Sequence, residues 1–310
     1  MNTQNQKINF YQKRTLVENI TITFDFLKDH WKMILKLCVY FLLPLSIVQG
    51  IFSTNFYSFV VDAALYAPST FESLEGISPM TIVNYVLLII SFLIGQSFLT
   101  AIVYTVLQKS LDENSSESYS LSGIKDVFIS YLKQCFILTF YLMFVILGYL
   151  LLVGALAYLF PYFLVIIIPV TFALIIPLIL IYPAYIFGED SGTNNALKQS
   201  FKLGFPTWGN LFLLMFALGI VCKIIQIVAK LPWYITFFTG KISGQVTNGV
   251  AVSNPFWLDL ITYLFSAVHI LGSYIGGVLI LVGAAFHYFS ALEGKETLSD
   301  SNDIDNFDQL

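Results

Sequence analysis

Long apolar runs alternate with short polar connections along this chain. Runs near residues 33–53, 80–107, 135–160, 162–187, 209–232 and 257–289 each reach the roughly 20 residues that an α-helix needs to cross about 30 Å of hydrocarbon. A helix also satisfies its own backbone N–H and C=O groups, which lipid cannot do. The pattern predicts an all-α membrane protein with six transmembrane helices.

A different periodicity precedes the first run. Leu16, Ile20, Phe24, Leu27 and Trp31 recur at spacings of 4, 4, 3 and 4, which is one stripe of an amphipathic helix over 10–32. Lys13, Arg14, Lys28, Asp29 and Lys32 occupy much of the remaining surface. Two placements are open. Either the stripe lies against acyl chains with its lysines among the headgroups, or it packs on the protein's own bundle.

The same design recurs before runs three and five. Ser122 is placed to cap a helix carrying Ile124, Val127, Phe128, Tyr131 and Leu132. Asp190 or Ser191 is placed to cap one carrying Ala196, Leu197, Phe201 and Phe205. A Ser or Asp side chain accepts a hydrogen bond from the free N–H groups of a first turn. The spans therefore group as three hairpins, each preceded by a cytoplasmic amphipathic helix. The short connection at Pro161 makes the hairpin of spans three and four tight. Pro169, Pro177 and Pro183 predict kinks in span four, because each removes a helical hydrogen bond.

Composition agrees with the runs: 57% of residues are hydrophobic and 11% charged, against about 25% charged in soluble domains. One six-helix transmembrane domain over 1–292 is the economical reading. Residues 293–310, with Glu293, Glu296, Asp300, Asp303, Asp305 and Asp308, cannot build a core and predict a disordered cytoplasmic tail. Lysines and arginines cluster before span one, between spans two and three, between four and five, and after six, whereas the opposite loops, 54–79 and 233–256, hold only Lys241. Basic residues near span ends stay cytoplasmic, which puts both termini on that side. The first run is longer than a signal-peptide core and lacks a small-residue cleavage site, so it reads as an uncleaved anchor. Cys38, Cys135 and Cys222 all lie in apolar runs and read as small hydrophobes.

No zincin, nucleophile-elbow, phosphate-loop or dinucleotide motif occurs. No catalytic activity, metal or cofactor is expected. Ionisable groups inside the spans are the better lead, since an unpaired charge in hydrocarbon costs several kcal/mol. Lys223, Gln226 and Lys230 share one face of span five, and Asp259 and His269 lie on span six. Lys230 and Asp259 are expected near the outer boundary, close enough to pair. Lys223 is about nine residues, or roughly 13 Å, inside it. Either these groups line a polar cavity for an anionic headgroup or solute, or Lys223 snorkels outward along its stem. Gly272, Gly276 and Gly277 form a small-residue pattern for close helix approach, within the bundle or between copies.

The run Tyr182–Glu189, followed by Ala196, Leu197, Ser200, Leu203 and Trp208, resembles a pattern in bacterial six-span inner-membrane proteins. These include the membrane domain that precedes some glycerophosphodiester phosphodiesterases. Thr23, Phe24 and Pro44 are similar to their opening. The resemblance implies a polytopic protein of the bacterial inner membrane, with Glu189 at the cytoplasmic mouth of span four. It implies no catalysis, since no soluble phosphodiesterase domain is read in these residues. The expected role is a module that organises lipid or supports partner proteins, with a transporter or lipid-translocating protein as the alternative. Its partners would be membrane lipids and another membrane protein, and no nucleic acid.

Overall fold

The computed structural model describes residues 9–66, 78–112, 121–188, 192–243 and 255–307. Its elements are α1 (Leu16–Tyr66), α2 (Pro79–Leu111), α3 (Leu121–Leu159), a 3-10 turn (Pro161–Phe163), α4 (Leu164–Leu178), α5 (Ile181–Phe187), α6 (Thr193–Gly204), α7 (Trp208–Ser243) and α8 (Phe256–Phe307). Among the described residues there is no strand. The stretches Leu16–Ala64, Pro79–Leu111, Lys125–Leu159, Pro161–Phe187, Trp208–Lys241 and Phe256–Lys295 are long and apolar enough to cross a membrane. They cover the six predicted runs to within one residue. Leu150, Leu151, Val165 and Ile168 remain largely exposed on α3 and α4, an arrangement that water disfavours and lipid does not.

The helices run further than the apolar pattern indicated. The first amphipathic segment and the first span are one 51-residue helix that starts at Leu16, not at residue 10. The segment before span three is likewise continuous with it in α3, which begins at Leu121, one residue before Ser122. No Gly or Pro separates Trp31 from Met33, and a nucleated helix extends at one hydrogen bond per residue. Only α6 is separate from its span. Pro206 sits in the turn between α6 and α7, where a missing N–H does no harm. Gly192 occupies the position before α6 without a side-chain cap. Asp190, Ser191 and Glu189 lie outside the described residues.

The regions read as outer loops are partly helical. α1 continues to Tyr66 and α7 passes Pro232 to reach Ser243. α8 runs on to Phe307, so most of the acidic tail is helical where composition predicted disorder. Glu293, Lys295, Glu296 and Leu298 are good helix formers, which lets a formed helix carry on. Span four does break. After Pro177 the chain turns at Ile179 and Leu180, whose N–H groups bond to Ile176 O and Pro177 O, and restarts as α5 with Pro183 near its start.

Contacts divide the chain into two compact units. Unit 1 is Met1–Ile34, Thr100–Ile220 and Val278–Leu310, and unit 2 is Leu35–Leu99 with Val221–Gly277. The boundaries fall within α1, α2, α7 and α8, which are long enough to contribute to both.

Unit 1 is built around aromatic residues. Phe26, Tyr104, Phe286, Tyr288 and Phe289 are fully buried. Phe10 stacks on Phe286 at 5.5 Å, and the backbone N–H of Arg14 donates to Ser290 Oγ at 2.8 Å. The Arg14 guanidinium donates to the carbonyls of Asn9, Phe10 and Gln12 and lies over the Phe286 ring. Burial lowers its pKa from the ordinary value, and the charge of Glu18 opposes that shift. Thr15 and Glu18 exchange backbone-to-side-chain hydrogen bonds, 2.7 Å to the carboxylate and 3.4 Å to the hydroxyl. This reciprocal cap starts α1. Thr139 meets Tyr182 at 3.0 Å and Tyr149 meets Thr171, which joins α3 to α5 and α4.

Candidate functional site

The polar residues predicted on spans five and six separate into three settings, all in unit 2. Lys223 is exposed on α7, and its Nζ donates to Gln226 Oε1 at 3.0 Å. Gln226 in turn reaches Cys222 Sγ at 3.2 Å. Lys230 does not turn to Asp259 as expected. Its ammonium lies over the rings of Tyr57, Trp233 and Tyr234, at 5.1, 5.3 and 4.7 Å. The negative ring faces attract a cation and shield it without a carboxylate. His269 stacks on the far larger ring of Trp233, with centroids 6.1 Å apart.

Asp259 has a different environment. It lines a cavity of about 250 Å³ where the C-terminal parts of α1 and α7 meet the start of α8. α1 contributes Thr54 and Ser58, α7 contributes Thr236 and Lys241, and α8 adds Thr262 and Tyr263 to Asp259. Lys241 Nζ lies 2.7 Å from both carboxylate oxygens of Asp62. The lysine side chain is 24% exposed and the aspartate 49%, so the pair is solvated and adds about 1 kcal/mol or less. Thr262 Oγ1 donates to Leu258 O at 2.8 Å, and Tyr263 OH donates to Asn55 Oδ1 at 3.1 Å. Thr236 Oγ1 lies 3.1 Å from both Pro232 O and Trp233 O.

Deeper in unit 2 the polar groups close on one another. Trp233 Nε1 donates to Thr54 Oγ1 at 3.2 Å, and Ser266 Oγ donates to Gly50 O at 3.2 Å. Gln49, fully buried, donates to Ser91 O at 2.6 Å and pairs with Tyr274, whose hydroxyl lies 2.9 Å from Oε1. These bonds satisfy groups that, buried and unpaired, would each cost about 1–3 kcal/mol.

The glycines of α8 serve packing within the chain. A Cβ at Gly272 would come 2.5 Å from Ala229 Cβ, one at Gly276 2.8 Å from Cys222 Sγ, and one at Gly277 3.0 Å from Leu99. The residues of the family-like pattern belong to unit 1. Ala196 and Ser200 are buried and Leu197 is half-buried on α6, while Trp208 Nε1 donates to Ala173 O at 3.1 Å. Among the described residues no cluster of three His, Cys, Asp or Glu side chains could hold a metal ion.

Several members of the site escaped sequence reading. Lys241 and Asp62 stood in regions taken as loops, so no helical register linked them. Gln49 and Tyr274 are polar groups inside apolar runs, a signal that was present and unused. Six apolar helices with a polar cavity among three of them are the makeup of a multi-pass membrane protein. Compared with profiles of protein families, with curated proteins and with solved structures, the chain matches none.

Proposed function

We propose that this chain is a non-enzymatic module of the bacterial inner membrane that holds a polar group, a lipid headgroup or a small solute, in the cavity of unit 2. The observation that carries this reading is a cavity lined by hydroxyls, a carboxylate and an ammonium, near buried polar groups that already pair with one another in the Trp233–Thr54 and Ser266–Gly50 bonds. A polar lining whose neighbouring polar groups already pair with one another suits retention better than passage. The alternative, transport or lipid translocation, needs a polar path onward from the cavity. Lys223 supplies none, because it lies exposed and bonded to its own helix neighbour.

In this reading the spans form three hairpins with both termini cytoplasmic, and the cavity lies at the outer end. Antiparallel pairings support the hairpins: Phe52 with Asn84 and Gln49 with Ser91, Thr139 with Tyr182 and Tyr149 with Thr171, Ala229 with Gly272 and Cys222 with Gly276. The basic residues on one side of the spans support the orientation. α6 supports the role of an interfacial helix, since it buries Ala196, Ser200 and Leu203 while exposing Lys198 and Lys202.

Native mass spectrometry of the protein, gently extracted, tests this. The reading expects a stoichiometric lipid or polar solute that is lost when Thr54, Ser58 and Asp259 are replaced together by alanine. A purified chain with no such adduct, together with a measured flux in vesicles, would favour transport instead.

A further inference from the structure

Lys223 carries a charge at a depth where lipid offers no counter-ion. The apolar stretch Trp208–Lys241 is longer than the roughly 20 residues that cross a bilayer. Yet every window of about 20 residues within it, from 208–227 to 222–241, contains Lys223. An ammonium in hydrocarbon costs several kcal/mol unless it is paired or hydrated. Among the described residues Lys223 bonds to the neutral Gln226 and pairs with no carboxylate.

The two lysines of this helix differ. Lys230 stands three residues before Trp233 and reaches the rings of Tyr57, Trp233 and Tyr234. Lys223 stands ten residues before Trp233, about 15 Å along the axis, and its ammonium stops at Gln226 Oε1. Gln226 is itself held by Cys222 Sγ at 3.2 Å. The amide fixes the ammonium at this level, and one hydrogen bond leaves it two further N–H donors. Ile224, Ile227, Val228 and Leu231 are each more than half exposed. With Lys223 they follow at i+1, i+4, i+5 and i+8, which is one arc of a helix.

We propose that this arc of α7 docks a transmembrane helix of another protein, one that carries an Asp or Glu at the depth of Lys223. The carboxylate accepts from the two remaining N–H groups, and the partner's apolar side chains cover Ile224, Ile227, Val228 and Leu231. Each charge then neutralises the other where lipid neutralises neither. A second copy of this chain does not fit. Copies inserted alike bring lysine to that depth, and the six apolar runs hold one carboxylate, Asp259 near the start of the last. A lipid phosphate does not fit either, since headgroups lie at the boundary, about 15 Å away. The arc shares no residue with the cavity lining, so the inference goes beyond the binding reading and stands or falls apart from it.

Energy transfer in phosphatidylcholine vesicles tests this, with the donor-labelled full chain and acceptor-labelled leucine helices of about 20 residues. The helices carry Asp, Asn or Leu at their centre. The Asp helix is expected to associate at least about tenfold more tightly than the Leu helix. K223M is expected to abolish that preference and K223R to keep it. Q226L leaves the ammonium but removes its support, so a weaker preference is expected, a second route should K223M fold poorly. An Asn helix that binds as tightly as the Asp helix overturns the charge pairing. A preference that survives K223M overturns the role of Lys223. Loss of the preference when phosphatidylglycerol is added overturns the partner helix in favour of a lipid phosphate. Transfer between two copies of the chain that disappears in K223M overturns it in favour of self-association.

Discussion

The hydroxyl of Tyr274 on α8 and the amide of Gln49 on α1 pair in space that Gly95 of α2 leaves empty. Tyr274 donates to Gln49 Oε1 at 2.9 Å, and Gln49 Nε2 donates to Ser91 O at 2.6 Å. A Cβ at Gly95 would overlap the Tyr274 hydroxyl and lie 3.1 Å from Gln49 Nε2. Three helices of unit 2 are thus joined by one buried polar contact that only a glycine permits.

G95A should therefore expel the hydroxyl and leave a buried amide under-satisfied. The expected cost is about 2 kcal/mol, from overpacking and lost hydrogen bonding together. Y274F alone should cost about 1 kcal/mol. In the G95A background Y274F should cost nothing further, since the bond is already broken and the phenyl ring relieves the clash. Unfolding of the four proteins in mild detergent closes the cycle. Additive effects would show that Gly95 is not what makes room for the pair.

A second close approach joins α7 to α8. G276A brings a methyl to 2.8 Å from Cys222 Sγ, and a buried side chain of two heavy atoms has little room to swing away. A loss of about 1–3 kcal/mol is expected, partly regained in G276A/C222A because the sulfur is gone. Because this face is filled by α7 of the same chain, neither variant should change the mass of the detergent-solubilised particle. A shift in oligomeric state on G276A would instead place that face between copies.

How much of this was legible in the sequence depends on the length scale of each signal. The spans were readable because twenty apolar residues in a row have one stable solvent. Their ends were not, because local composition does not record how far a formed helix propagates past its apolar run. Of the predicted polar residues, Asp259 reached a cavity while Lys230 met aromatic rings. Spacing placed both at the outer boundary but carried no information about which neighbouring helix each would face. The Gly272 and Gly276 pattern was readable as close packing, though only coordinates choose the partner helix. The division into two units was invisible, since each is assembled from segments far apart in sequence.

The start of α1 offers a local test. Thr15 and Glu18 fit the sequence signature of a reciprocal cap, and the structure forms both bonds. T15A should destabilise the first turn by about 1 kcal/mol. Hydrogen exchange should quicken at residues 16–19 and stay unchanged deeper in α1. Glu18→Gln keeps an acceptor for the Thr15 N–H but loses its charge near the helix N-terminus, so a smaller effect is expected. If T15A left exchange at those residues unchanged, the cap would not be what starts the helix.

Orientation can be measured directly, since Cys38, Cys135 and Cys222 are all buried and give little background to a thiol reagent. S58C places a thiol in the cavity lining and K198C places one on the exposed face of α6. With the cavity outside, a membrane-impermeant maleimide should label S58C in intact cells and K198C only after permeabilisation. The reverse pattern would invert the topology and put the cavity in the cytoplasm. Labelling of S58C from both sides of sealed, oriented vesicles is the outcome that separates the two functional readings. A cavity that retains its ligand is expected to be reachable from one side only. A translocating protein must expose the thiol to the other side in each cycle.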